Sequence, residues 1–320
     1  MQQKQIMIVI IAEYYLNMNT IELQGISKSF EKHKAVDDLT LHVPKGSIYG
    51  FIGPNGSGKT TTIRMIMNIL YPDSGSIKLF GTTYRGSRLD NIGYLPEERG
   101  LYKKMKVKEL LSFHGQLKNG KNINNEIKYW LDKLDLQKWS NKKVETLSKG
   151  MSQKLQFIAT IIDRPDLVIL DEPFSGLDPV NADIIRSAVL ELQENGTTVV
   201  FSTHDMNMAE KMCDFIFMIY KGKKVLDGTL SSIQDKYGND TIKIQTEDGM
   251  SVLNNIEGIE KVTDFGRMQE LKINENTDTQ KILAAVMANT KVNKFEIAKP
   301  SLNDIFIRIA APEKEEGNNA

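Results

Sequence analysis

The chain has 320 residues, with 41 Lys+Arg balanced by 41 Asp+Glu. Its 40% hydrophobic and 26% charged content excludes disordered and collagen-like classes, the length suits about two domains, and the zero net charge argues against a nucleic-acid partner. A single cysteine, Cys213, rules out an internal disulfide and a cysteine-built metal centre.

The apolar run Ile6 to Ala12 falls far short of the ~20 residues that cross a bilayer as a helix. Glu13-Tyr14-Tyr15 follows it, not the small residues of a signal-cleavage site. Residues 1–17 therefore read as an extension ahead of a domain that spans 18–228. Thr20–Leu23, Leu39–Val43 and Ser47–Ile52 predict strands, and Gly75-Ser76 is expected to separate a helix from a strand over Ile77–Phe80. From about Met105 to Ala159 the period turns helical. Val107, Leu110, Leu111 and His114 share one face, and Ile123, Ile127, Trp130, Leu131 and Leu134 share another, within a helical subdomain over about 97–160. Leu167–Leu170 and Thr197–Phe201 are short continuous apolar runs suited to buried parallel strands, with a helix over Pro179–Glu194 between them.

Beyond Gly228 the pattern changes to alternation at Ile242/Ile244 and Leu271/Ile273. A helix with Ile282, Leu283, Val286 and Met287 follows, then a strand around Phe295 and Ile297. A last helix starts after Pro300, with Ser301 and Asp304 in capping positions. This predicts a small α+β domain over 229–310, and the Glu/Gly/Asn-rich tail 311–320 reads as disordered. The fold class expected is α/β: a P-loop core with a helical insertion, plus the α+β domain.

Gly53-Pro54-Asn55-Gly56-Ser57-Gly58-Lys59-Thr60 follows a predicted strand and opens a helix beginning at Thr61. That context is what a phosphate-binding loop requires. Its glycines let backbone N–H groups converge on an anion, and the helix N-terminus adds partial positive charge. Lys59 reaches the outer phosphates and Thr60 offers a hydroxyl to Mg²⁺, so a nucleoside triphosphate is the expected ligand. The run Leu167–Leu170 then delivers Asp171 and Glu172 to a strand end. Adjacent strand residues point opposite ways, so Asp171 can serve Mg²⁺ through water while Glu172 acts as general base.

Leu147-Ser148-Lys149-Gly150-Met151 ahead of that strand, and Ser175-Gly176-Leu177-Asp178 after it, resemble the ATP-binding subunits of ABC transporters over about residues 20–228. The resemblance makes ATP the nucleotide. It implies that Ser148 and Gly150 of a signature motif contact the nucleotide held by a second copy, and that Ser175 to Asp178 form the D-loop. It also implies that Phe30 stacks on adenine and His204 senses the γ-phosphate. Lys149 and Met151 stand where many relatives carry Gly and Gln. Glu97, in Tyr94-Leu95-Pro96-Glu97-Glu98, takes the place of a metal-contacting Gln; it can ligate Mg²⁺ but adds negative charge. An exporter-type subgroup, drug or sodium exporters among them, shares this Glu and a Pro-Ser-Leu-x-Asp-Ile-Phe run that Pro300 to Phe306 matches. The implied assembly is a homodimer on the cytoplasmic face of the membrane, with a permease helix received near Glu97 and Met105.

Other readings stay open: a cytosolic ABC ATPase of translation or DNA repair, or a weakly active regulatory subunit. A P-loop kinase or GTPase fits less well, because the nearest guanine-reading candidate, Asn141-Lys142-Lys143-Val144, lacks the needed Asp. His33, His42 and His114 read as structural or exposed, and Lys103, Lys104, Lys106 and Lys108 as a solvated face.

Overall fold

The computed structural model describes residues 19–31, 33–83, 90–98, 100–119, 123–238, 241–253, 256–274 and 277–310. The extension and tail expected at 1–17 and 311–320 lie outside them. The chain divides into two compact units, Met1–Thr229 and Leu230–Ala320.

The first unit contains, in order, β1 (Asn19–Phe30), β2 (His33–Pro44), β3 (Ile48–Ile52), α1 (Lys59–Ile66), β4 (Ser74–Leu79), β5 (Thr82–Thr83) and β6 (Ile92–Leu95). Three helices follow, α2 (Val107–Asn119), α3 (Asn124–Lys133) and α4 (Lys149–Ile161), with short 3₁₀ turns at Gln137–Trp139 and Val144–Thr146 between the last two. Then come β7 (Leu167–Asp171), α5 (Pro179–Glu194), β8 (Thr198–Thr203), α6 (Met206–Met212), β9 (Phe215–Tyr220) and β10 (Lys223–Gly228). One sheet, ordered β2-β1-β4-β5, is antiparallel. The other, ordered β10-β9-β3-β8-β7-β6, is parallel except for its β10 edge.

Every residue of β3, β7 and β8 is buried, as expected of strands covered on both faces. Their alternation splits two cores. Val168, Leu170, Val199 and Phe201 pack with the helices on one face. Leu167, Ile169 and Val200 pack with β1, β2 and α1 on the other. The Thr20 and Thr198 hydroxyls, 2.9 Å apart, tie the two sheets together.

Among the described residues the helical insertion shares its core with the sheet: Trp130, Leu131 and Leu134 of α3 and its end belong to the same cluster as Val168 and Leu170. Leu131 is 1% exposed, so Leu131→Ala is expected to cost about 2–5 kcal/mol and to lower the urea midpoint of the whole first unit in one transition.

Two expectations need correction. Gly75-Ser76 does not precede a strand but lies inside β4, paired to β1. The glycine is there for close approach, since a Cβ on it would sit 2.4 Å from the Gly25 carbonyl oxygen. Strands β1 and β2 also run to twelve residues each, because their ladder continues through polar positions such as Lys28 and Ser29 that periodicity alone leaves out.

The second unit comprises α7 (Leu230–Lys236), β11 (Thr241–Thr246), a 3₁₀ turn at Gly249–Val252, β12 (Ile259–Asp264), β13 (Gln269–Ile273), α8 (Thr279–Met287), β14 (Val292–Ala298) and α9 (Leu302–Ala310). Its sheet is ordered β12-β13-β11-β14 and is antiparallel throughout. Ile242, Ile244, Leu271 and Ile273 on one sheet face pack against Ile282 and Val286 of α8. At the start of α9, Ser301 and Asp304 cap reciprocally: the Ser301 N–H donates to the Asp304 carboxylate at 3.0 Å and the Asp304 N–H to the Ser301 hydroxyl at 3.2 Å.

Candidate functional site

Strand β3 ends at Ile52, and the chain turns through Gly53 to Gly58 into α1. Gly53 (φ 157°) and Gly58 (φ 113°) leave no space for a side chain. A Cβ would lie 2.3 Å from the Ile219 carbonyl oxygen at Gly53 and 2.5 Å from the Ala35 carbonyl oxygen at Gly58. The loop is thus clamped between β2 and the end of β9. Helix α1 has neither a capping side chain nor an acidic residue in its first turn, so its N-terminal N–H groups and partial positive charge are left for an anion.

Lys59, the first residue of α1, is 6% exposed. Its ammonium donates to the carbonyls of Gly53 at 2.7 Å and Pro54 at 3.2 Å, and lies 4.0 Å from Glu172 Oε1. Burial draws its pKa below the usual lysine value, against the opposing fields of Glu172, Asp171 and Glu97.

Asp171 is the last residue of β7 and is 2% exposed. Its Oδ1 accepts from Thr60 Oγ1 at 3.4 Å and from the Ser202 hydroxyl, while the buried Oδ2 has no hydrogen-bond partner. Glu172 takes a left-handed backbone (φ 50°), uncommon for a non-glycine residue and a form of strain that clusters at functional sites. Its N–H donates to Ser202 Oγ at 3.0 Å, and its Oε1 lies 3.0 Å from His204 Nδ1. One hydroxyl on β8 therefore holds both the last residue of β7 and the glutamate that follows it.

A cleft of about 450 Å³ brings together Phe30, Asn55, Gly56, Ser57, Gly58, Lys59, Thr60, Thr61, Glu97 and Glu172. Gly53 and Pro54 meet it through the carbonyls that hold Lys59, and His204 through Glu172. Phe30, 45% exposed, forms one wall. His33 and Ala35 also line the cleft; the sequence reads His33 as structural or exposed and leaves Ala35 out, because the strand that carries both is expected there only from Leu39.

Ser148 and Gly150 do not line this cleft. Ser148 caps α4, accepting from the Met151 N–H at 3.3 Å. Gly150 faces Asn181 and Leu177, at the start of α5. Asp178 caps α5, and the hydrogen bonds from Asn181 hold its carboxyl below the usual range. The link back to the cleft is Gln153 of α4: it is 2% exposed and its side-chain N–H donates to the Pro173 carbonyl, directly after Glu172. Neither Gln153 nor Ser202 belongs to a motif read from the sequence.

The cleft thus offers converging N–H donors and a desolvated ammonium for a polyphosphate, an exposed aromatic for a flat ring, and a carboxylate beside an imidazole for proton transfer.

Comparison with known proteins agrees with this chemistry. The family described as ABC transporter matches residues 36–175, and the ATP-binding protein DrrA1-3-like C-terminal domain matches residues 228–310. The chain is 40% identical over 289 residues to the uncharacterized ABC transporter ATP-binding protein YhaQ of Bacillus subtilis (strain 168), covering 90% of this chain and 97% of the relative. It is 33% identical over 249 residues to the bacitracin transport ATP-binding protein BcrA of Enterococcus faecalis, covering 77% and 80%. Among solved structures, an ATP-binding subunit of an ABC transporter superposes with a TM-score of 0.63 at 28% identity, over 68% of this chain and 93% of that one. With identity sustained along nearly the whole of YhaQ, the chain belongs to the ATP-binding proteins of ABC transporters, a family of ATPases.

Proposed function

We propose that this ATPase drives export through a separate membrane permease by closing as a dimer around ATP and reopening after hydrolysis. The observation that carries the proposal is the division of the predicted nucleotide contacts. Phe30 and the loop through Thr61 line one cleft, whereas Ser148 and Gly150 lie outside it. In this reading each copy supplies half a site, and the second half comes from the signature segment of another copy. ATP is then an interfacial ligand that shifts the population toward the closed pair, and cleavage removes the contacts that held it.

In the closed pair the loop from Gly53 to Thr61 holds the phosphates and Lys59 faces the outer two. Glu172 takes the proton of the attacking water, with His204 positioned against it. Thr60, Asp171 and Glu97 would hold Mg²⁺, which neutralises charge on the phosphates; the buried, partnerless Asp171 Oδ2 fits such a cation. Among the described residues no helix is long and apolar enough to cross a membrane. The proposal accordingly assigns the substrate path to a partner, with this chain at the cytoplasmic face. The relative named for bacitracin transport favours a drug or peptide antibiotic as cargo over sodium.

The test is the concentration dependence of turnover. Two-copy sites predict that ATP turnover per chain rises with chain concentration, and that a tagged chain recovers a polytopic membrane protein from detergent extracts. Turnover per chain that stays constant on dilution to nanomolar levels would overturn the shared site. Phe30→Ala is expected to weaken ATP binding about tenfold, since base–aromatic stacking is worth ~1–3 kcal/mol. Calorimetry should show inorganic triphosphate binding unchanged; an equal loss for both ligands would remove the stacking role.

A further inference from the structure

The second unit carries an open sheet edge whose charge pattern is complementary to itself. Among the described residues β14 pairs only with β11, on one side. Asn293, Lys294, Glu296 and Ile297 of β14 are exposed. Its apolar residues Phe295 and Ile297 lie opposite Ile244 and Ile242, on the α8 face, so Lys294 and Glu296 occupy the other face. That other face is built from charge pairs running across the strands: Lys272 with Glu260 between β13 and β12, and Lys243 with Glu270 between β11 and β13. Glu296 lies opposite Lys243 and pairs with Lys294 along β14. The row of alternating charge then stops at the edge.

We propose that β14 pairs antiparallel with β14 of a second copy, about a two-fold axis at Phe295, giving a nucleotide-independent dimer contact. Across such an axis only residues on the same sheet face meet, and the residues flanking the centre exchange partners. Lys294 of each copy then lies opposite Glu296 of the other, twice by symmetry. A centre at Lys294 or Glu296 sets like charges against each other instead, so the charge pattern selects the register. Phe295 meets its own counterpart, an aromatic cross-strand pair on the apolar face. The opposite edge, β12, has no equivalent. A bulge interrupts it between Ile259 and Lys261, and in its regular part Lys261 and Asp264 fall on opposite faces. Bulges and mismatched charges are how exposed edges avoid pairing; β14 has one irregularity of its own, at Asn293, where Val292 and Lys294 face Thr246 and Gln245, but Lys294 to Ala298 keep an unbroken register and carry the matched charges.

The contact goes beyond the ATP-driven dimer, and its test excludes ATP altogether. Sedimentation of the nucleotide-free, Mg²⁺-free full chain is expected to show reversible dimerisation at roughly 100 µM, the range of a small interface. Glu296→Lys alone and Lys294→Glu alone are each expected to weaken it about tenfold or more, by turning two attractive pairs into two repulsive ones. Mixing the two single variants should restore a dimer, because one strand is then wholly basic at these positions and the other wholly acidic. The double variant K294E/E296K should dimerise like the native chain. Both positions are exposed, and recovery on mixing shows that each variant is folded. A native chain that stays monomeric at this concentration overturns the proposal. So does a dimer indifferent to the single variants, or single variants that fail to recover on mixing.

Discussion

Glu172→Gln is expected to lower steady-state ATP turnover about a thousandfold while leaving ATP affinity within a few-fold of native. The size follows from the role: a positioned general base contributes ~10²–10⁴. Glutamine keeps the shape and an acceptor oxygen, so the contacts to His204 at 3.0 Å and Lys59 at 4.0 Å are preserved in form. The left-handed backbone at this position is anchored by the N–H donated to Ser202, which the substitution does not touch. What disappears is the ability to take a proton from water. Binding energy from ATP is then no longer released by cleavage, and the closed pair should accumulate. Size-exclusion with light scattering, at a chain concentration far below that at which the β14 contact forms, should show a species of twice the chain mass with ATP and Mg²⁺, and the monomer without them. Native turnover in the variant would remove Glu172 from the base role; full inactivation without dimer accumulation would separate base chemistry from dimer closure.

The parts of this site that the sequence makes legible are those whose residues are close along the chain. Gly53 to Thr61 is a strand–loop–helix junction in which spacing alone fixes which backbone groups converge, and Asp171-Glu172 is marked by the apolar strand that precedes it. Ser202 is different. It reaches Asp171 and Glu172 only because β8 lies beside β7 in the sheet, and strand order is not a local property. Gln153 likewise touches Pro173 only because α4 packs against the end of β7. Strands β9 and β10 are not legible in the sequence because a short apolar run such as Phe215–Tyr220 has no periodicity to separate strand from buried helix, yet β9 supplies the Ile219 carbonyl that forces a glycine at position 53. In the second unit, β12 shows no alternation of burial and is held as a strand by its ladder with β13.

Lys59→Ala should weaken ATP binding by about two to three orders of magnitude and leave the nucleotide-free fold intact. Hydrogen bonds to charged groups are worth ~1.5–3 kcal/mol each, and this ammonium would face two phosphates in a site with little solvent. In the nucleotide-free protein the same group is a liability. It is almost completely buried, its direct acceptors are two neutral carbonyls, and its carboxylate neighbour is at the limit of ion-pair distance. The lowered pKa expresses that cost, because burial outweighs the fields of Glu172, Asp171 and Glu97. A lysine held below its unfolded pKa favours the deprotonated fold, so its contribution to stability becomes more favourable as pH rises through the folded value toward the unfolded one. Removing the amine therefore spares the free protein a desolvated charge, and its melting temperature should change little or rise. ATP should raise the melting temperature of the native chain but not of the variant, since ligand stabilisation scales with occupancy. Scanning calorimetry at neutral pH, with and without ATP, reads both effects at once. Equal stabilisation of the two chains by ATP would mean that the phosphates are held by the backbone N–H groups of the loop without this lysine.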